Sequence, residues 1–368
     1  MIKKLLALNG IAIIGAVLYH AAGWGFISMF WWTDRFLPVT VPNFSLKGSF
    51  SYFGLRFIEQ IIIIAIPAFL FVSGYFIVFA SGKESAPKWK WIFTRIKYLV
   101  IPYLIWSTIL ICMNVFFGES YQPGQIVNMI LTGKAIEAFY FIPLIIQLYL
   151  LSPILTRAVK AKPFLMLSIS FILMILVHLG QYASMLGISY IGKSFLSLFT
   201  HAWLFPGNLF WFVFGIYIGF FYASIQEKLV RFRLLFLTIS LVLIPVGIWE
   251  WEKLLALSGR DWYPSRESIV DNLFSIFFLL TFITYSLGPI IKLKWLNYLG
   301  SKSFGIYLSH TLFLTLIAKI IYNLIPQILK YQIIFQPILI FGAILGPVLL
   351  IEILKRSPLR KFFVYVFG

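Results

Sequence analysis

The chain has 368 residues, 61% of them hydrophobic and only 11% charged, against roughly 25% charged in an average soluble protein. That balance excludes an ordinary water-soluble globule and leaves no polar half to form a separate soluble domain, so one membrane domain over residues 1–368 is expected. The net charge of +18 lies in short clusters between apolar runs, the pattern of membrane-surface loops rather than of a nucleic-acid face. A single cysteine, Cys112, excludes an intrachain disulfide, and no Cys/His cluster has the spacing of a structural zinc site.

Hydropathy predicts ten helical spans: Leu5–Phe26, Phe57–Ala80, Ile96–Phe117, Phe139–Leu155, Pro163–Gly180, Trp203–Tyr222, Leu234–Trp249, Asn272–Ile291, Leu299–Asn323 and Ile333–Leu354. Most approach the ~20 residues a helix needs to cross hydrocarbon. Unbroken runs such as Ile61–Ile66 lack the alternation of a membrane β-barrel. The expected class is all-α, a polytopic membrane bundle of about ten helices. Lys and Arg accumulate on the cytoplasmic side. Here 20 fall at the two termini and in alternate connections, 9 in the opposite connections, and Lys319 lies inside a span. Both termini are therefore expected in the cytoplasm, with the long loops Ile27–Arg56 and Glu250–Asp271 outside. Lys3-Lys4 ahead of an apolar run also resembles a signal peptide, but Ala21-Ala22-Gly23 followed by Trp24 lacks a small-x-small cleavage pattern.

Polar side chains inside hydrocarbon cost about 2.5–3.5 kcal/mol when charged, which makes them the functional candidates. His20 lies in Ala16-Val17-Leu18-Tyr19-His20-Ala21-Ala22-Gly23, about 22 Å along the helix from Leu5 and so toward the outer side. It is either a general base among small residues or a core histidine bonded to a neighbouring helix. Ser303, Tyr307 and His310 fall at i, i+4 and i+7 on one face, a substrate wall or a packing seam. Ser73-Gly74 in the second span suits close helix approach or a cofactor tail. Arg95 and Lys97 precede the third span and suit phosphate or ordinary positive-inside charge. Glu59 has Arg56 at i−3 as a local ion-pair partner. His178 and Lys319 lie near outer helix ends, where snorkelling explains the lysine.

Several separated segments together resemble the acyltransferase-3 family of ten-helix membrane acyltransferases. They are Asn9-Gly10-Ile11-Ala12 with Leu18-Tyr19-His20, Phe69 to Tyr75, Arg95 through Pro102-Tyr103-Leu104-Ile105-Trp106, Tyr140-Phe141 with Leu148 to Pro153, and Leu299 to His310. The resemblance implies transfer of an acyl group, usually acetyl, from cytoplasmic acyl-CoA to a hydroxyl of a cell-surface or lipid-linked carbohydrate. That is O-acetylation of a polysaccharide in a multi-pass protein of a bacterial cytoplasmic membrane, with acyl-CoA as cosubstrate and no metal. His20 matches the family's essential first-span histidine, with Ser73, Tyr307 and His310 as supporting or oxyanion-binding residues and Asn9, Arg95 and Lys97 at the donor. The family has an arginine eleven residues before that histidine, whereas this chain has Asn9, a neutral amide, so Lys3, Lys4 or Arg95 become the substitute cations.

Two rival classes remain on sequence grounds: a glycan exporter or flippase, which also needs a polar path at mid-membrane, and a non-catalytic membrane partner with packed histidines. No pair of Gly/Pro-broken short spans marks a transporter repeat.

Overall fold

Runs of Leu, Ile, Phe and Val that leave water must satisfy every backbone N–H and C=O internally, and in the computed structural model of this protein they do so as α-helices. The structure describes residues 2–82, 84, 86–189, 192–263, 267–285 and 293–368, and no strand occurs among them. The helices are α1 (Ile2–Phe30), α2 (Phe50–Ile62), α3 (Ala65–Ser81), α4 (Trp89–Phe116), α5 (Pro123–Thr132), α6 (Phe141–Ala161), α7 (Pro163–Met185), α8 (Lys193–Ser197), α9 (Leu209–Arg231), α10 (Arg233–Leu257), α11 (Ile269–Thr284), α12 (Lys294–Ser301), α13 (Ser303–Leu324), α14 (Gln332–Arg356) and α15 (Phe363–Phe367).

Among the described residues, nine helical stretches are long and apolar enough to cross a membrane, which makes the chain a polytopic helical membrane protein. The eighth predicted span corresponds to the 16 residues of α11, and residues 286–291 of that prediction lie outside the described residues. The second span starts earlier than predicted. Ser49 caps α2 by accepting a hydrogen bond from Tyr52 N at 3.2 Å, and an amphipathic turn that buries Tyr52, Leu55, Arg56 and Glu59 precedes the apolar run. That span is also broken at Ile63-Ile64. Pro67 has no N–H to offer the Ile63 carbonyl and its ring crowds that oxygen, so the helix must restart. The ninth predicted span is interrupted as well, at Lys302 between α12 and α13.

The chain divides into two compact units, one of Met1–Leu5 with Ile66–Pro289 and one of Leu6–Ala65 with Ile290–Gly368. In the first unit α7 and α6 both pack on α9, and α10 pairs with α11. A Cβ at Gly74 of α3 would run into the Phe212 carbonyl, and one at Gly215 of α9 into the Phe71 carbonyl. The second-span Ser73-Gly74 element is therefore a close backbone crossing between α3 and α9, the geometry that small residues permit in membranes. Lys4 donates from Nζ to the Ile283 and Tyr285 carbonyls at 3.0 and 2.7 Å, closing the last turn of α11, whose final carbonyls have no helical partner.

In the second unit α13 lies against α14. The apolar stretch of α13 is 61% buried, and that of α14 only 22%. Exposed Ile334, Ile338, Phe341, Leu345, Leu349 and Ile353 form a stripe along α14 at helical spacing, as a lipid-facing surface requires. The expected Arg56–Glu59 ion pair is present at 2.8 Å and buried. The guanidinium sits over Phe26 and Tyr52, 4.8 and 5.3 Å from their ring centres, so the pair also anchors α2 to α1.

The reciprocal glycine contact generates a test. Gly74→Val or Gly215→Val overpacks the crossing, at a typical cost of about 1–3 kcal/mol, and lowers the thermal midpoint of the detergent-solubilised protein. Gly54→Ala does not lower it, because a Cβ at Gly54 meets nothing within 4 Å and alanine favours the helix.

Candidate active site

The second unit joins two of the sequence candidates that lie 290 residues apart. Half-buried His20 of α1 and fully buried His310 of α13 have ring centres 5.4 Å apart at 45°. That spacing lets the ring edges meet directly or across one hydroxyl group. Tyr307, one turn before His310, is buried with its ring 6.0 Å away. Ser303 is half-buried at the start of the helix. The predicted polar face of α13 thus looks inward. Measured along α13, His310 lies only about 10 Å from Ser303, a shallower position than counting along α1 suggests.

His310 is held in one protonation pattern by its own helix. Its Nδ1 lies 2.8 Å from the Tyr307 carbonyl and 3.1 Å from that of Ile306. Carbonyl oxygens only accept, so the proton sits on Nδ1 and the neutral ring presents a lone pair at Nε2. That nitrogen is buried and has no hydrogen-bond partner. In the neutral ring this nitrogen carries no proton and is an acceptor.

A ladder of amides between α1 and α14 fixes the backbone beside His20. Gln336 Nε2 donates to the Ala21 carbonyl at 3.1 Å and to Gln332 Oε1 at 3.0 Å, and Gln332 Nε2 donates to Ser28 Oγ at 2.7 Å. A Cβ on Gly25 would lie 2.5 Å from Gln336 Nε2, so glycine is what admits the amide. Sequence reasoning restricted to ionisable groups misses these residues. Two glutamines four apart in an otherwise apolar span were the available signal.

The remaining candidates are placed elsewhere. Asn9 is on α1, eleven residues or about 16 Å from His20, and its buried Oδ1 has no hydrogen-bond partner. Ser73, Arg95 and Lys97 belong to the first unit. There Ser73 and Arg95 both interact with the Tyr149 phenol, and Arg95 lies over the Trp91 ring at 5.5 Å. Arg95 and Lys97 are exposed. His178 is a satisfied structural histidine, with Nδ1 donating to the Met174 carbonyl at 2.8 Å and Nε2 accepting from Asn272 Nδ2 at 3.0 Å.

The first unit also holds a small cleft of about 40 Å³. Its walls include Trp251 and Tyr263, with ring centres 6.5 Å apart, together with Gln181, Tyr182, Thr200 and Glu267. Tyr182 donates to Glu250 at 2.7 Å and accepts from Ile269 N at 2.7 Å, so it forms a fixed rim. Burial and the nearby Asp271 carboxylate push the Glu267 carboxyl up to about 8, leaving it largely protonated at neutral pH.

A family model described as "Acyltransferase domain", acyltransferase-3, matches residues 4–354, nearly the whole chain. The chain belongs to that family. It is accordingly a membrane-embedded, multi-pass member of an acyltransferase family, and the five motifs that carry the resemblance lie inside the matched region. No curated protein and no solved structure matches the chain.

The two partnered nitrogens of His178 set it apart from the His20–His310 pair. His178→Ala leaves Asn272 short of a partner, at a typical cost of about 1–3 kcal/mol. The thermal midpoint falls, while acyl transfer per folded molecule stays at the parent level.

Proposed function

We propose that this protein is an O-acyltransferase that moves an acyl group, acetyl in the simplest case, from cytoplasmic acyl-CoA to a hydroxyl of a cell-surface or lipid-linked carbohydrate. The observation that carries this reading is the His20–His310 pair, in which a locked Nδ1–H tautomer leaves a buried lone pair on His310 beside the ring of His20. In this reading an N–H of His20 turns onto that vacant lone pair during the reaction, which leaves the other nitrogen of His20 to act as the base. This is the arrangement in which a third group orients a base.

In the proposed reaction His20 takes the proton of the acceptor hydroxyl as its oxygen attacks the thioester carbonyl. The C–O bond forms, the tetrahedral intermediate collapses with cleavage of C–S, and the imidazolium returns the proton to the departing thiolate. His310 stabilises the transient imidazolium as acceptor. Tyr307 supplies a hydroxyl for the oxyanion, a role that preorganised donors fill in acyl transfer.

A carbohydrate acceptor is supported by the cleft of the first unit. Aromatic faces at Trp251 and Tyr263 suit the apolar face of a sugar ring, and a protonated Glu267 can both donate and accept toward hydroxyl groups. The charge distribution supports cytoplasmic termini and an outer location for this cleft.

The test is transfer of radiolabel from acyl-CoA to glycan by the purified protein in lipid, combined with mass spectrometry of surface glycans. His20→Ala is expected to lower the rate by about 10²–10⁴-fold, the usual contribution of a positioned base. His310→Gln keeps an acceptor oxygen and retains more activity than His310→Leu. Unchanged transfer in His20→Ala, with normal insertion, overturns the assignment. Export of unmodified glycan without consumption of acyl-CoA points instead to transport.

A further inference from the structure

The proposed reaction needs a cationic seat for the donor's phosphates, and Asn9 of α1 is a neutral amide. The second unit offers a different seat at the start of α13, the helix that carries Tyr307 and His310. Lys302, between α12 and α13, and Lys355, in the last turn of α14, both hold their ammonium groups over the ring of Phe363, at 5.2 and 5.5 Å from its centre. Two ammonium groups gathered on one ring repel each other. Burial and the neighbouring Lys355 accordingly hold Lys302 below the usual lysine range.

The surrounding charges do not cancel this pair. Glu352 is the one carboxylate at the cluster among the described residues. It accepts from Lys355 at 2.8 Å and also from the Tyr298 hydroxyl. Arg356 adds a further cation in electrostatic range of Glu352. Three cations against one carboxylate leave an excess of about two positive charges, the complement of a phosphate dianion. The aromatic floor of Phe363 and Tyr298 fixes the lysine stems, since Lys355 also lies over Tyr298 at 5.6 Å. The lysines are thereby organised before any ligand arrives.

We infer that Lys302, Lys355 and Arg356 form a phosphate-binding seat for the acyl donor at the mouth of α13. His310 lies eight residues beyond Lys302, about 12 Å along the helix axis, and an extended pantetheine arm spans that distance. The seat and the histidine pair are thus two stations on one helix, phosphate at its start and thioester two turns in. This inference rests on the acyl-CoA reading given above. The same phosphate chemistry is present in anionic lipid headgroups, so the source has to be separated by experiment.

The experiment uses the full chain in nanodiscs of phosphatidylcholine only, and measures coenzyme A binding by equilibrium dialysis together with the KM for acetyl-CoA and for acetyl-pantetheine, which lacks the nucleotide phosphates. Lys302→Gln and Lys355→Gln are each expected to weaken coenzyme A binding and raise the acetyl-CoA KM about tenfold, with kcat and the acetyl-pantetheine KM unchanged. Lys355→Arg, which preserves the Glu352 pair, restores binding and controls for folding. Parent-like acetyl-CoA KM values in both glutamine variants overturn the seat while leaving the transferase reading intact. So does an effect that appears only when anionic lipid replaces phosphatidylcholine, which identifies a lipid headgroup as the ligand. Failure of the parent protein both to bind coenzyme A and to turn over acetyl-CoA removes the acyl-CoA reading itself.

Discussion

Hydrocarbon supplies no water to an imidazole nitrogen, so the protonation pattern of a histidine buried in this protein is dictated by the backbone carbonyls its ring can reach. In His310 the carbonyls of Ile306 and Tyr307 take Nδ1–H and leave Nε2 as a lone pair without a partner. In His178 a carbonyl likewise takes Nδ1–H, but Asn272 donates to Nε2. The two rings share the same local helix geometry and differ in one neighbour. An amide donor makes His178 a rivet between α7 and α11, whereas His310 has a second imidazole, that of His20, with its ring centre 5.4 Å away. Burial alone does not distinguish the two, since both are buried. The state of the second nitrogen does.

The sequence makes the membrane helices legible because hydropathy depends on composition over a window, and each helix satisfies its own backbone. Among the described residues nine stretches are long and apolar enough to cross, and α11 starts at Ile269, three residues before the predicted Asn272, because the Ser268–Asp271 capping box sets its start. Pro67 carried a readable break that a hydropathy window averages away, since the residues around it are uniformly apolar. Individual candidates were legible by residue type: His20, Tyr307 and His310 are rare polar groups in apolar runs. Their proximity was not legible. It depends on α1 and α13 meeting in space after 290 residues of chain, and no local pattern encodes that. The Gln332–Gln336 ladder escaped for a different reason, because neutral amides titrate nothing and announce themselves only through partners on another helix.

Several basic residues that look interchangeable in sequence are chemically distinct in the structure. Lys4, a candidate cation from α1, has its ammonium group engaged by two carbonyls at the end of α11, so it closes a helix rather than waiting for an anion. Arg95 lies over Trp91 and interacts with Tyr149 in the first unit. Lys302 and Lys355 instead share one aromatic ring, a geometry in which two positive charges repel each other. Positive-inside bias accounts for how many cations lie on a side, but not for two of them being pressed together.

The substitution at position 9 then has a physical reading. An arginine in a helix interior carries an obligatory charge and five donors that must all be met in a medium without water. Asn9 asks for far less, and its Oδ1 remains buried without a partner at modest cost compared with a stranded guanidinium. Removing the charge from α1 withdraws one anchor from the helix that carries His20, and the cationic function must come from elsewhere if a phosphorylated donor is to be held. Residues at the ends of α12 and α14 can supply it without placing a charge in the apolar stretch of α1, because long lysine stems reach from a helix end while the ammonium stays near water. On the proposed reading, donor affinity and the position of the base would be set by different helices, the base by α1 and the electrostatics by the entry of α13.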